Sequence, residues 1–276
     1  MKIENKTTCF VTVANIEYQQ YIPWWIYFLN NAYPEARKII LTCSPLDQAV
    51  DHAIRVLDGN FVIKQCAFKK YRSASGDVIK ILRWLHFDEE YLNYDYLSIG
   101  DVDMAICQEK PSYFEQHASH MDIINLPYSN FVRNVPPVDR MSGTHVVKTK
   151  KYFDKILPII QKYREKLDHQ KLASINSQGY NEKLLHKIVV DAFGNPPENL
   201  WNTYWSSLNS SNHHGIHIRL AELGGFDGLK SARGFEKHKQ SVIEATKTVV
   251  FTKLFNLFPD TGRILLNTAN EYSQIQ

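Results

Sequence analysis

The segment YDYLSIGDVDMAI, residues 94–106, decides the fold and the function predicted for this chain. Its first part, residues 94–99, has the pattern of a strand in a buried sheet. Asp101 and Asp103 come directly after it, one residue apart in otherwise apolar sequence. Burying a lone carboxylate is costly, so this placement predicts a shifted pKa, a charged partner or a metal ion for the pair.

The segments before this pair alternate between strand and helix patterns. Strands are predicted at residues 8–14, 36–42 and 60–68, and helices at residues 21–32, 46–57 and 78–88. This alternation predicts an α/β fold with a mostly parallel, doubly wound, Rossmann-like sheet. Ligands of such sheets bind beyond the carboxyl ends of the strands, which is where the fourth strand delivers Asp101 and Asp103.

The second half of the chain is less regular. Strands are predicted at residues 121–126 and 141–147, and helices at residues 151–169, interrupted at Pro158, and 181–193. After Gly224 and Gly225 the composition becomes basic, which divides the chain into a main domain, residues 1–225, and a helical, basic C-terminal extension, residues 226–276.

Within that extension, residues 242–258 predict one amphipathic helix that carries Lys247 and Lys253. Such a helix either lies on an anionic membrane or packs on the main domain with its lysines in water.

Composition excludes several classes of protein. With 276 residues, 44% hydrophobic and 22% charged, the chain is globular rather than disordered. A net charge of +3 without a basic block argues against nucleic acid as a partner. The N-terminal MKIENKTT lacks the apolar core of a signal peptide, and the apolar run 22–29 is too short to span a bilayer. A cytoplasmic protein is expected, with peripheral contact at the inner membrane face as an option, and its four cysteines, none in a C-x-x-C pair, are expected to be free thiols.

Paired carboxylates at the end of a strand are typical of a site for a hard divalent cation. Mg²⁺ and Mn²⁺ prefer oxygen ligands, and Mg²⁺ keeps open positions for substrate phosphates. A diphosphate leaving group needs such a cation, so Asp101 and Asp103 predict a nucleotide-diphosphate substrate with Mn²⁺ or Mg²⁺ as cofactor. The alternative is a pair of turn aspartates that cap the next segment.

Residues 94–106 resemble the strand and D-x-D segment of GT-A glycosyltransferases, and are similar to bacterial enzymes of the family-eight type, which move a hexose from a nucleotide sugar. TCFVTVANIEY (8–18) and IPWWIYFLNNAYP (22–34) resemble the start of that fold, and KILRWL (80–85) occupies the place of a basic helix. Over residues 8–225 the resemblance implies a nucleotide-sugar-binding and catalytic domain. It also implies a UDP-sugar donor, a glycan or lipid-linked acceptor, and a place in bacterial surface polysaccharide or lipooligosaccharide assembly.

The resemblance implies a metal site. Asp101 would contact the ribose and the metal, and Asp103 would be the direct metal ligand. The third ligand would be His214 or His217 in SNHHGIHIRL, with His213 a weaker candidate; their spacing departs from the family pattern. A neutral imidazole ligand suits Mn²⁺ better than Mg²⁺.

The resemblance also implies donor-binding residues. Ala14 and Asn15, at the end of the first strand, match the position of the nucleotide base and ribose, and Tyr18 would stack on the uracil. Lys80 and Arg83 lie three residues apart, so they share one face of a helix. They would reach the diphosphate or point into solvent.

A third group of residues would face the transferred sugar. Gly143, in MSGTH, permits a close backbone approach where donor and acceptor meet, and His145 would bond sugar hydroxyls. Glu182, in QGYNE, would be the carboxylate near the anomeric carbon, with Asp191 a distant second. Glu182 has an alternative role as an acid favoured by the helix dipole at an N-terminus.

These assignments leave the stereochemistry and two rival functions open. The family likeness implies retention, with the leaving diphosphate helping to deprotonate the acceptor, whereas Glu182 acting as general base would allow inversion. One rival is a nucleotidyltransferase acting on sugar phosphates, although residues 15–20 lack the glycine and basic residues usual after its first strand. The other is a non-catalytic carbohydrate-binding protein, which suits the 12% aromatic content but does not need Asp101 and Asp103.

Overall fold

The computed structural model describes residues 6–68, 76–133, 139–166, 180–208, 214–219 and 235–274. Its strands are β1 (Thr8–Ala14), β2 (Arg37–Thr42), β3 (Phe61–Lys64), β4 (Tyr96–Gly100), β5 (Met104–Ile106), β6 (Tyr128–Ser129), β7 (Val132–Arg133), β8 (Arg140–Met141), β9 (His145–Lys148) and β10 (Gly215–His217). Six of them form the central sheet in the order β3-β2-β1-β4-β9-β6. Strand β9 runs antiparallel to the other five strands of that sheet, so the predicted mostly parallel α/β fold is confirmed.

Ten helices are described, and most of them cover the two faces of this sheet. They are α1 (Ile22–Ala32), α2 (Gln48–Ile54), α3 (Gly76–Leu85), α4 (Tyr113–Ile124), α5 (Thr149–Lys166), α6 (Tyr180–Phe193), α7 (Leu200–Ser207), α8 (Phe235–Ala245), α9 (Val249–Leu257) and α10 (Pro259–Gln274). Helices α1, α2, α4 and α8–α10 share one hydrophobic core, and α3, α5 and α6 share the other.

Strand β1 shows why both faces are covered. Phe10 and Ala14 enter the core beneath α1, whereas Cys9 and Val11 enter the core beneath α3. Successive side chains of a strand point to opposite faces, so a near-continuous apolar run requires apolar partners on both sides. This requirement produces the doubly wound arrangement and leaves the carboxyl edge of the sheet open.

The strand predicted at residues 121–126 is wrong, because this segment ends helix α4. Ser112 and Glu115 form a reciprocal capping box that starts the helix. His117 and Met121 lie four residues apart on its buried face. The apolar run MDII is therefore the last turn of an amphipathic helix.

The single helix predicted at residues 242–258 is also wrong, because one helix ends at Ala245 and Thr248 caps the next. Both helices pack against α1. The Tyr27 hydroxyl donates to the Ala245 carbonyl at 2.7 Å, and the Phe251 ring lies 5.2 Å from that of Trp24. The predicted domain boundary at 225 lies outside the described residues. No helix in the described ranges is long and apolar enough to cross a bilayer.

Candidate active site

Asp101 and Asp103 lie in the turn between β4 and β5, at the carboxyl edge of the sheet. The short strand β10 pairs antiparallel with β5 and places His217 opposite Met104. The Nδ1 atom of His217 lies 3.6 Å from Oδ2 of Asp103. The backbone N–H of Ile218 also donates to the Asp103 carbonyl at 2.8 Å. Residues more than a hundred positions apart therefore meet at one point.

Gly215 allows strands β10 and β5 to lie in close contact. A Cβ atom at this position would lie 1.9 Å from the carbonyl oxygen of Ala105, which no side chain can tolerate. The absence of a side chain at Gly215 lets β10 pair closely with β5, and this pairing positions His217 next to the acidic turn.

Asp101 contacts a second group of predicted residues. Its Oδ1 accepts a hydrogen bond from Nη1 of the buried Arg83 at 2.5 Å. Its Oδ2 faces Gly143, where an added Cβ would lie 2.9 Å from Asp101 Oδ2, 3.3 Å from Arg83 Nη2 and 3.6 Å from Glu182 Oε1. Gly143 is in the turn that splits the strand predicted at residues 141–147 into β8 and β9. The glycine thus allows α3, α6 and the acidic turn to converge.

The carboxylates of this region differ in their ease of ionisation. Burial opposes ionisation of Asp101, but the charge of Arg83, and then that of His217, outweighs it and lowers the pKa. Burial raises the pKa of Asp103; His217 acts against this rise, and the neighbouring Asp101 adds to it. Burial likewise raises the pKa of Glu182, in spite of nearby arginines. The site therefore holds more carboxylates than its own cations stabilise.

These residues line a cleft with a volume of about 370 Å³, here called the acidic cleft, which includes Asp101, Gly143, Glu182, His217 and Trp201. On one wall Arg140 Nε lies 3.5 Å from Glu182 Oε2, and Arg133 Nη1 lies 4.0 Å from Glu182 Oε1. A cleft of this size accommodates a sugar-sized ligand.

A narrower crevice, about 20 Å³, continues on the other side of Asp101 and Asp103 towards Asn15 and Tyr18. Two cations lie over the Tyr18 ring: Lys80 Nζ at 5.3 Å and Arg219 Cζ at 4.7 Å from its centroid. The Asn15 side chain accepts from the Tyr18 backbone N–H at 3.1 Å. Ala14 is fully buried and does not line this crevice.

His145 does not face the acidic cleft, contrary to the prediction. It is fully buried, with Nδ1 3.1 Å from the Asn130 amide nitrogen and Nε2 3.0 Å from the Tyr152 hydroxyl. The alternation of β9 points it, with Val147, into the core beneath α5. Burial lowers its pKa to about 3. His145 is a structural residue.

His214 does not line the acidic cleft, and both of its ring nitrogens have partners other than the aspartates. Its Nδ1 lies 2.6 Å from Oε2 of the buried Glu109, and its Nε2 lies 3.1 Å from Nε2 of His117. His214 is one residue before β10, and its carbonyl accepts from the Cys107 N–H. It anchors the strand that carries His217. The weaker candidate, His213, lies outside the described residues.

Asp191 is on the far side of its helix from Glu182, contrary to its assignment near the donor sugar. They are nine positions apart, which corresponds to about 180° of rotation and about 14 Å along the axis. Asp191 is exposed and accepts a hydrogen bond from the Tyr163 hydroxyl at 2.9 Å.

Metal binding requires ligands around one point. Among the described residues, no group of three or more His, Cys, Asp or Glu side chains is already arranged in this way. Asp101, Asp103 and His217 nevertheless supply the oxygen and nitrogen donors that suit Mn²⁺.

Four residues that the sequence hypothesis did not name also line or border the site: Arg133, Arg140, Trp201 and Arg219. Arg219 comes two positions after His217, in the same segment SNHHGIHIRL that supplied the histidine candidates. Arg133 and Arg140 are opposite each other in the antiparallel pairing of β7 with β8, and this pairing brings both to Glu182.

No family model and no curated protein sequence matches this chain. Among solved structures, the glycosyltransferase GlyE of Streptococcus pneumoniae TIGR4 is 13% identical, with 72% of this chain and 47% of that one covered and a TM-score of 0.42. This chain therefore spans about half the length of GlyE. The galactosyltransferase LgtC, solved with donor and acceptor sugar analogues, is 13% identical, with 61% and 69% covered and a TM-score of 0.36.

The 4-diphosphocytidyl-2C-methyl-D-erythritol synthase of Anaerococcus prevotii DSM 20548 is 9% identical, with 62% and 83% covered and a TM-score of 0.39. At such TM-scores these likenesses do not establish a family.

Proposed function

We propose that this chain is a metal-dependent glycosyltransferase that moves a sugar from a UDP-sugar to a hydroxyl group of a glycan or lipid-linked acceptor. One observation carries the proposal. One cleft at the carboxyl edge of the sheet is lined by Asp101, Gly143, Glu182 and His217. These residues come from parts of the chain that are far apart in sequence: the acidic turn, the turn before β9, the start of α6 and strand β10. That edge is where open α/β sheets bind ligands.

The metal site of the proposal consists of Asp101, Asp103 and His217. Asp103 is 4% exposed, and the Nδ1 atom of His217 lies 3.6 Å from its Oδ2 atom, which is longer than a hydrogen bond. A buried carboxylate with so distant a partner favours a bound cation. Mn²⁺ or Mg²⁺, when bound, would neutralise charge on the diphosphate leaving group.

The cations of the narrow crevice have a role in donor binding. Lys80, which lines the crevice, and Arg219 now lie over the aromatic ring of Tyr18, and the crevice is too small for a nucleotide. We infer that they leave the ring for the diphosphate, where a lysine acts as a point charge and an arginine as a fork. Tyr18 is then free to stack on the base. Arg83 stays with Asp101 and holds its carboxylate in place.

Glu182 is the carboxylate that would face the anomeric carbon. Its side chain is 16% exposed and borders Gly143, and the adjacent arginines limit its motion. A retaining transfer would leave Glu182 to stabilise positive charge on the sugar. If Glu182 instead accepts the acceptor proton, the product is inverted. NMR of the product anomer separates the two, and an inverted product would overturn retention.

Calorimetry with UDP, in the presence and absence of Mn²⁺, tests the proposal. We expect Mn²⁺-dependent binding by the wild-type chain, a large loss of affinity for Asp103→Asn, and none for Asp191→Asn, which is a carboxylate change outside the cleft. A screen of UDP-sugars for Mn²⁺-dependent hydrolysis then identifies the donor. Absence of metal-dependent UDP binding would overturn the transferase proposal, and turnover of a nucleoside triphosphate with a sugar phosphate would favour the nucleotidyltransferase.

We also propose that the protein is cytoplasmic, with peripheral contact at the inner membrane face. Lys253 on α9 and Lys247, two residues before this helix, are both exposed, whereas Phe251 and Leu254 of α9 are buried. The two lysines are therefore available to anionic lipids. Co-sedimentation with vesicles of phosphatidylglycerol, lost in a Lys247→Glu, Lys253→Glu variant, would support this contact.

A further inference from the structure

Helix α7 presents an aromatic face to the acidic cleft. Leu200 and Tyr204 are each 2% exposed and bury one side of the helix, Tyr204 with its ring 5.2 Å from that of His120. Trp201 and Trp205 are one turn apart on the other side, with ring centroids 5.3 Å apart. Trp205 packs against the buried cluster of Phe131, Tyr204 and Leu208, whereas Trp201 is exposed.

Trp201 is exposed where the cleft opens. Among the described residues five large hydrophobic side chains are exposed, and of these Trp201, at 44%, lines the acidic cleft. An aromatic surface of this kind at a polar pocket is typical of a binding site.

The orientation of the Trp201 ring is fixed before any ligand arrives. Phe131, which is 2% exposed, meets it edge-on, with centroids 5.0 Å apart and planes at 78°. Trp205 supports it from the helix at 63°. A ring held on two sides loses little conformational entropy when it binds a ligand.

We propose that Trp201 is the stacking platform for a sugar ring of the acceptor. The apolar C–H face of a pyranose fits an indole ring, and its hydroxyl groups lie around its edge, where the cleft offers Arg133, Glu182 and His217. Asp101 lies between this platform and the Tyr18 crevice, so the platform is on the acceptor side of the metal site. Identification of the sugar as the acceptor rests on the proposed function.

Saturation-transfer difference NMR with a panel of methyl glycosides and common disaccharides, in the presence of UDP and Mn²⁺, tests the platform. We expect Trp201→Ala to weaken saccharide binding at least tenfold and Trp201→Phe, which keeps an aromatic face, to lose less than threefold. The matched control is Ile123→Ala, because Ile123 is 57% exposed on α4 and does not line the cleft. Thermal melts of all variants establish that they are folded.

The outcomes separate this inference from the proposed function. Saccharide binding that is equal in Trp201→Ala and the wild-type chain, or that is undetectable across the panel, overturns the platform even if UDP binds with Mn²⁺. Trp201-dependent saccharide binding without any UDP binding supports the platform and overturns the transferase. Loss of saccharide binding when UDP is added would assign Trp201 to the nucleotide base and would also overturn the inference.

Discussion

Replacing Gly143 by alanine should disable the metal site without unfolding the protein. The new Cβ atom would lie 2.9 Å from Asp101 Oδ2, whereas ordinary contact begins at 3.4 Å, so the carboxylate must move by about 0.5 Å. Arg83 restrains that movement through its hydrogen bond to the other oxygen of the same carboxylate. Metal–ligand distances tolerate only about 0.2 Å, so the displaced oxygen falls outside the range for coordination.

We expect Gly143→Ala to weaken Mn²⁺-dependent UDP binding by about 10- to 100-fold, the usual cost of disturbing the surroundings of a metal ligand. The assay is calorimetry with UDP and Mn²⁺, with thermal melts to confirm folding. The matched control is Gly100→Ala: Gly100 directly precedes Asp101, and a Cβ atom there would meet nothing within 4 Å. Equal UDP affinity in Gly143→Ala and the wild-type chain would refute the placement of the metal at Asp101.

The remaining predictions concern single carboxylates and buried histidines. Asp103→Asn should abolish Mn²⁺-dependent UDP binding but leave the metal-free protein at least as stable, because an amide replaces a carboxylate whose pKa burial raises; a lower melting temperature without metal would contradict this reasoning. Burial lowers the pKa of His120 to about 4 and that of His145 to about 3, so each stays neutral when folded but is protonated in the unfolded chain below about pH 6.5. Stability should therefore fall between pH 7 and pH 5 by about 2 kcal/mol for each of the two, measured by urea unfolding; a flat profile would refute their burial. Asp191→Asn should change neither transfer activity nor, by more than about 0.5 kcal/mol, the free energy of unfolding, and a loss of activity would restore Asp191 as a catalytic candidate.

Part of the site can be predicted from the sequence because the relevant signals are local. The apolar run before Asp101 and Asp103 marks a buried strand, and a parallel sheet exposes the residues after such a strand at its carboxyl edge. Lys80 and Arg83 share a helix face through their spacing alone. Ser112 and Glu115 also form a local signature of a helix start, which would have corrected the strand predicted at residues 121–126.

The sequence by itself determined the α/β layering, the position of the acidic turn and the candidate chemistry. These features depend on the spacing of hydrophobic residues and on the residue types in the turn, which are local properties of the sequence. Only the tertiary structure decided between neighbouring histidines. His217 reaches Asp103 and His214 reaches Glu109 because β10 pairs with β5 in one register and alternates its side chains between cleft and core. Such pairing joins segments more than a hundred residues apart, and no local pattern encodes it. The same is true of Trp201, whose role depends on which side chains the folded chain leaves uncovered.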